Sequence, residues 1–306
     1  MKFLTKKKNF MFFVMLVFVF VSTSAMAITG QIPQIIPVLS NFEKKNFAEI
    51  PILKDGIGFP VFSAQAVFAY DLDSGIVLYE KNPDLKLLPA STTKIITALV
   101  ALDTYSLDEY VKVDKFYVEG QKMGLVAGEV IKIEDLLYGM LVYSANDAAE
   151  VLARIYPEGR EGFIIAMNTK AKEIGMDSSN FLNPVGLDGN TSSARDLVRA
   201  STVAMRNTNF AKIVGTKEVT IKSIDQKISH KIKNINELLG EVPGVLGVKT
   251  GWTENARENL VTYMDRDGHR IAISVLGSQD RFGETKELIN WIFENYKWEK
   301  VDPYSP

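Results

Sequence analysis

The chain has 306 residues, 46% hydrophobic and 24% charged, with no cysteine and two histidines. That composition supports a globular unit with a substantial core, while a formal charge of −2 and a pI near 5.9 exclude the basic surface that drives nucleic-acid binding. Without cysteine there is no disulfide framework and no lipid-attachment thiol, and His230 and His269 alone make no structural zinc site, so neither metal nor cofactor is expected.

Lys2, Lys6, Lys7 and Lys8 precede an uncharged apolar run from Phe10 to Val21, and Ala25 and Ala27 stand where a cleavage site needs small residues. This reads as a secretory signal peptide over 1–27, because the apolar run is short for a spanning helix. The working compartment is then extracytoplasmic: the cell envelope, or secretion from it. Residues 28–60 hold four of the eleven prolines and no sustained period, which reads as a leader or tether. The folded unit is accordingly expected over 61–299, with 300–306 a short tail.

"AQAVFAYDLDSGIVLYEKN" reads as two strands joined at Asp73-Ser74-Gly75. A helix opens near Ser91, with Ile95, Leu99 and Leu102 on one face. A second begins at Ile133, where Ile133, Leu136, Leu137, Met140 and Leu141 recur at helical spacing behind Glu134 and Asp135. It breaks at "YSAND", and another helix runs through Ala148, Ala149 and Leu152. Residues 160–215 look helical around the loop "NPVGLDGNTSSARD". "VLGVKTGWT" is a strand, "ENLVTYMDRDGHRIAISVLGS" is two more joined at Asp267-Gly268, and 282–297 close as an amphipathic helix. Strands at both ends with helices between predict an α/β (α+β) fold: an antiparallel sheet flanked by helices, a helical lobe, and a site in the cleft between them.

Three short segments carry chemistry. Ser91 and Lys94 stand three residues apart, so a helix opening near Pro89 would put both on one face, where the lysine could take the serine's proton. No serine has the G-x-S-x-G context of a histidine-assisted hydrolase, and both histidines read as exposed polar residues. Lys94 must then be neutral to act as base, which burial and a nearby cation such as Lys249 would favour. The alternative role for Ser91 is a helix cap. Ser144-Ala145-Asn146, at a helix junction, can aim a hydroxyl and an amide into the cleft, with capping again the alternative; Ser178-Ser179-Asn180 repeats the pattern but reads as loop. Lys249-Thr250-Gly251 lies on a strand, where glycine lets a ligand's backbone approach the strand edge.

The ordered set "STTK", "SAN" and "KTG" resembles the penicillin-recognising serine enzymes. More closely, "LLPASTTKIITALVAL", "AGEVIKIEDLLYGMLVYSANDAAEVLA" and "FLNPVGLDGNTSSARDL" resemble the low-molecular-mass penicillin-binding proteins that are serine-type D-alanyl-D-alanine carboxypeptidases, over about 61–298. The resemblance implies a β-lactamase/DD-peptidase-like fold. It implies Ser91 as nucleophile, Lys94 as its proton acceptor and Ser144 as proton relay to the departing D-alanine. It places Asn146, Lys249, Thr250 and Gly251 in substrate binding, with Thr250 helping to hold the terminal carboxylate. The N–H groups of Ser91 and Trp252 would form an oxyanion hole, each donor lowering a barrier by about 3 to 4 kcal/mol, and Arg270 would bind carboxylate.

The implied partners are peptidoglycan stem peptides ending in D-Ala-D-Ala, with β-lactams as covalent inhibitors; membrane association would have to be N-terminal or through a partner. Three departures stand out: Ala256-Arg257-Glu258 where relatives commonly have a small or glycine-containing stretch, a short loop after "NPVGL", and only a few residues after the closing helix, so that the second β domain and amphipathic C-terminal anchor common in the subfamily are not expected here. The rival readings are a serine β-lactamase, for which no E-x-x-L-N segment lies between "SAN" and "KTG", a DD-endopeptidase of the same fold, and a non-catalytic sensor that binds peptidoglycan or penicillin.

Overall fold

The structure is a computed structural model that describes residues 49–187 and 189–300. The expected signal peptide, residues 28–48 of the expected leader, and residues 301–306 lie outside the described residues.

The centre is a five-stranded antiparallel sheet ordered β3-β2-β10-β9-β8, with β2 Ala66–Asp71, β3 Val77–Lys81, β8 Val245–Thr253, β9 Arg257–Arg266 and β10 His269–Ser278. Both faces of β10 are covered, and its alternation shows how. Ile271, Ile273 and Val275 join one apolar cluster with Leu288, Ile289 and Ile292 of the closing helix α7, Arg281–Asn295. Ala272 and Leu276 join the larger cluster of the helical lobe. The β9–β10 turn falls at Asp267-Gly268, both at positive φ (56° and 84°), as a two-residue hairpin turn requires.

The helical lobe contains α1 Lys94–Thr104, α2 Ile133–Val142, α3 Asn146–Arg154, α4 Gly159–Glu173, α5 Ala194–Met205 and α6 Thr208–Val214. α2 starts at Ile133 because Glu134 and Asp135 suit a helix N-terminus and its apolar positions repeat toward the core. α5 joins lobe to sheet by packing on β2, β9 and β10.

Three two-stranded ladders escape the sequence patterns: β1 Glu49–Leu53 with β11 Tyr296–Lys300, β4 Tyr110–Lys112 with β5 Val130–Lys132, and β6 Glu218–Lys222 with β7 Ser229–Lys233. The first corrects two expected boundaries. α7 stops at Asn295, and the chain continues as β11, pairing antiparallel from Leu53↔Tyr296 to Glu49↔Lys300. The fold therefore begins by Glu49, within the stretch expected as leader, and Lys300 belongs to it. The Trp298 indole donates to Asp71 at 2.8 Å and the Tyr296 hydroxyl to the Leu78 carbonyl at 2.7 Å, which locks this ladder to the main sheet.

Candidate active site

Pro89 leads into a 3₁₀ turn, Ala90–Thr93, before α1 begins at Lys94. Residues three apart eclipse in that tighter helix, so Lys94 lies directly over Ser91, its Nζ donating to Ser91 Oγ at 2.8 Å. Neither the turn nor α1 has a side-chain N-cap, and Ser91 is thus bound to the lysine rather than to a helix end. Lys94 is fully buried and also donates to the Val185 carbonyl at 2.6 Å. Burial pulls its ammonium from 10.5 to about 7, although Asp147 pulls the other way.

Ser144 sits between α2 and α3 with φ of 65°, a left-handed backbone that serine rarely adopts. Ala90, beside Ser91, is similarly strained at 48°. Strain of this kind persists only where surrounding contacts fix it, and it concentrates at functional sites. The Ser144 hydroxyl accepts a hydrogen bond from Lys249 Nζ at 2.9 Å. Asn146 is the first residue of α3 and caps nothing: Ala145 is the N-cap, without a side-chain bond. Its Nδ2 donates to the Glu119 carbonyl at 2.7 Å, while its buried Oδ1 has no partner among the described residues.

Lys249, Thr250 and Gly251 lie on β8, the edge strand of the sheet. Burial and the neighbouring Lys94 and Arg281 charges hold the Lys249 ammonium well below its ordinary range; an arriving carboxylate would oppose that lowering. A Cβ on Gly251 would stand 3.0 Å from the Pro89 oxygen and 3.1 Å from the Ser91 nitrogen. The close approach that needs glycine is therefore to the Ser91 turn as well as to any ligand. Trp252 follows, 62% exposed.

These elements enclose a cleft of about 530 Å³ lined by Ser91, Ser144, Asn146, Thr250, Gly251 and Trp252. A larger hollow of about 1040 Å³ beyond Arg281, along the 234–242 loop, contains no motif serine or lysine. Two further parts of the wall have no signature in the motifs. The segment Glu119-Gly120-Gln121 lines the cleft and is held through Asn146, whose backbone N–H donates to the Gln121 carbonyl at 2.7 Å. Opposite it, Asn183 Oδ1 accepts from the N–H groups of Val185, Gly186 and Leu187, and Asn190 ties that loop to Thr93 at 3.1 Å. The signal for this second wall was present as paired asparagines around Pro184 and Gly186, residue types that build side-chain-to-backbone turns.

Arg270 is a correction. Its guanidinium pairs with Asp73 at the β9–β10 hairpin end, and it does not line the cleft. The arginine that does is Arg281, at the start of α7, which donates to the Gly251 carbonyl at 3.1 Å and keeps a buried Nε without a partner among the described residues. Strand counting from the KTG segment leads to the hairpin end of β10, whereas Arg281 comes after that strand. His230 is a second correction: it is 5% exposed and bonded to Glu129 at 2.7 Å. His269 is half-buried and stacks on Trp298, ring centroids 4.3 Å apart. Ser178 and Ser179 bind Asp196 in a loop, away from the cleft. No group of three metal-ligating side chains occurs among the described residues, and no described helix is long and apolar enough to cross a membrane.

A model of the D-alanyl-D-alanine carboxypeptidase family matches residues 57–280. The chain belongs to that family. It is a serine peptidase of the hydrolase class. It is 34% identical over 249 residues to the carboxypeptidase DacB2 of Mycobacterium tuberculosis, covering 78% of this chain and 84% of that protein. It is 30% identical to DacF of Bacillus subtilis, of whose length it spans 63%. It also matches a D-alanyl-D-alanine endopeptidase of Pseudomonas aeruginosa at 32% identity, over 72% of this chain and 74% of that one. Among solved structures, a D-alanyl-D-alanine carboxypeptidase from M. tuberculosis superposes with a TM-score of 0.74 at 33% identity, covering 83% of this chain and 97% of that one. A Streptomyces DD-transpeptidase superposes with a TM-score of 0.73 at 32% identity, covering 77% and 100%. The expected α/β DD-peptidase fold is thereby established.

Proposed function

We propose that the protein removes the terminal D-alanine from peptidoglycan stem peptides through an acyl-enzyme on Ser91, and that β-lactams acylate the same hydroxyl. The observation that carries the reading is the 2.8 Å bond between Ser91 Oγ and the buried Lys94 amine. Ser91 Oγ attacks the carbonyl of the D-Ala-D-Ala bond as its proton passes to Lys94, whose burial keeps a neutral fraction near neutral pH. The Ser91 and Trp252 N–H groups receive the developing oxyanion. Ser144 relays a proton to the leaving amine, and water then releases the shortened peptide from Ser91. Asn146 Oδ1, which has no partner among the described residues, accepts a substrate amide N–H. Lys249, Thr250 and Arg281 receive the terminal carboxylate at the leaving-group end, the role first sought at Arg270.

The catalytic domain in this reading runs from β1 to β11, behind an N-terminal export signal, and acts outside the cytoplasm. The test is mass spectrometry after incubation with benzylpenicillin, alongside D-alanine release from a Lys-D-Ala-D-Ala peptide, for wild type and Ser91→Ala. The expected result is a penicilloyl adduct on Ser91 and peptide turnover, both lost in the variant. A folded protein giving neither would sink the proposal and leave the sensor reading; rapid penicillin turnover without D-alanine release would favour the β-lactamase.

A further inference from the structure

His230 on β7 lies between two acceptors. Its Nδ1 is 3.1 Å from the Met123 carbonyl oxygen and its Nε2 is 2.7 Å from Glu129 Oε1. A carbonyl can only accept, so Nδ1 donates to Met123, while Nε2 and Glu129 Oε1 share one further proton. The pair is enclosed, with side-chain exposures of 4% and 0%. We propose that His230, bonded at both ring nitrogens, is a positioning residue that fixes the cleft wall formed by Glu119, Gly120 and Gln121. The proposal rests on the reading of the cleft as the acylation site.

Met123 is the junction. Its carbonyl is held by His230, and its N–H by Asp147 at 3.0 Å, with Gly124 and Leu125 on the same carboxylate. Two residues earlier, the Gln121 carbonyl accepts from the Asn146 N–H and the Glu119 carbonyl from Asn146 Nδ2. The orientation of Asn146, and so of its unpartnered Oδ1, depends on a segment whose far side His230 clamps. Glu129 is itself fixed by the Val126 N–H at 3.1 Å, which closes the loop on both sides of the imidazole. Glu129 faces the ring from the segment before β5, and the residue opposite on β6 is the apolar Ile221. Loss of the bond from either ring nitrogen would release the wall.

The experiment is D-alanine release from a Lys-D-Ala-D-Ala peptide by the full chain as wild type, His230→Phe, Glu129→Leu and Glu129→Gln, with circular dichroism to establish that each is folded. His230→Phe breaks both ring bonds and should raise KM about tenfold with kcat nearly unchanged, and Glu129→Leu, which breaks one, should raise it by less. In Glu129→Gln the new amide can bond Nε2 while its oxygen keeps the Val126 N–H, so that variant should retain a low KM. Wild-type KM in the folded Phe or Leu variant, or a KM rise in Glu129→Gln as large as in Glu129→Leu, would overturn the proposal. Failure of the site reading looks different: no penicilloyl adduct on Ser91 in any form.

Discussion

Lys249 and Ser144 come from opposite lobes, 105 residues apart in sequence, yet the amine of one donates to the hydroxyl of the other at 2.9 Å. This bond joins the edge strand β8 to the α2–α3 junction. If Ser144 relays the proton and Lys249 orients it, Ser144→Ala and Lys249→Met should each slow Ser91 acylation by about 10²-fold or more. The double variant should be little worse than either single one, because residues acting as a unit are not additive. Rates of penicilloyl-adduct formation for the four proteins check this; full additivity would separate the two roles.

Lys94 predicts both a pH profile and a stability trade-off. With its amine at about 7, acylation should rise with pH through a midpoint near that value, as the neutral base accumulates. Between about 7 and the unfolded value of 10.5 the unfolded chain binds a proton that the folded chain does not. The destabilisation from this residue is therefore full below the lower value and fades as pH rises to the upper one. It amounts to something on the order of 5 kcal/mol, against which Lys94→Met would leave the Val185 carbonyl unpaired at a cost of about 1 to 3 kcal/mol. The variant should unfold at a higher temperature at neutral pH while failing to form an adduct. A lower melting temperature would show that the lysine contributes more by bonding than it costs by burial.

Sequence reasoning reached what is local and periodic. Ile133 to Leu141 marked α2, the Asp267-Gly268 pair marked the β9–β10 hairpin, and the three motifs named residues that converge on one cleft. It missed what depends on distant pairing. β1 has only five residues, includes Pro51, and is a strand only because Tyr296–Lys300 offers it an edge. Arg281 looks like an ordinary helix-start residue until α7 is set against Gly251. His230 reads as exposed because its neighbours Ser229 and Lys231 are; alternation along β7 turns it inward with Ile232.

Gly251→Ala tests the close approach of β8 to the Ser91 turn. The added methyl would press on the Pro89 oxygen and Ser91 nitrogen at 3.0 and 3.1 Å, both backbone atoms that cannot rotate away. A stability loss of about 1 to 3 kcal/mol is expected, with a larger effect on acylation because the Ser91 N–H itself is displaced. Gly268→Ala is the contrast: its φ of 84° is strained but nothing lies within 4 Å, so stability should fall with acylation of the folded protein unchanged. Equal acylation in both variants would mean that the approach is only packing.

The two arginines give the sharpest discrimination at the carboxylate end. Arg281 lines the cleft with an unpartnered Nε, whereas Arg270 is engaged with Asp73 at the hairpin. A hydrogen bond to a charged partner is worth about 1.5 to 3 kcal/mol, or roughly ten- to hundredfold in affinity. Arg281→Ala should therefore raise KM for a Lys-D-Ala-D-Ala peptide by about that factor, and should matter far less for the same peptide with an amidated C-terminus, which offers no carboxylate. Arg270→Ala removes a surface pair of small worth, about 0 to 1 kcal/mol, and should leave both substrates unaffected. The reverse pattern would return the carboxylate site to β10 and require the hairpin end to close over the cleft.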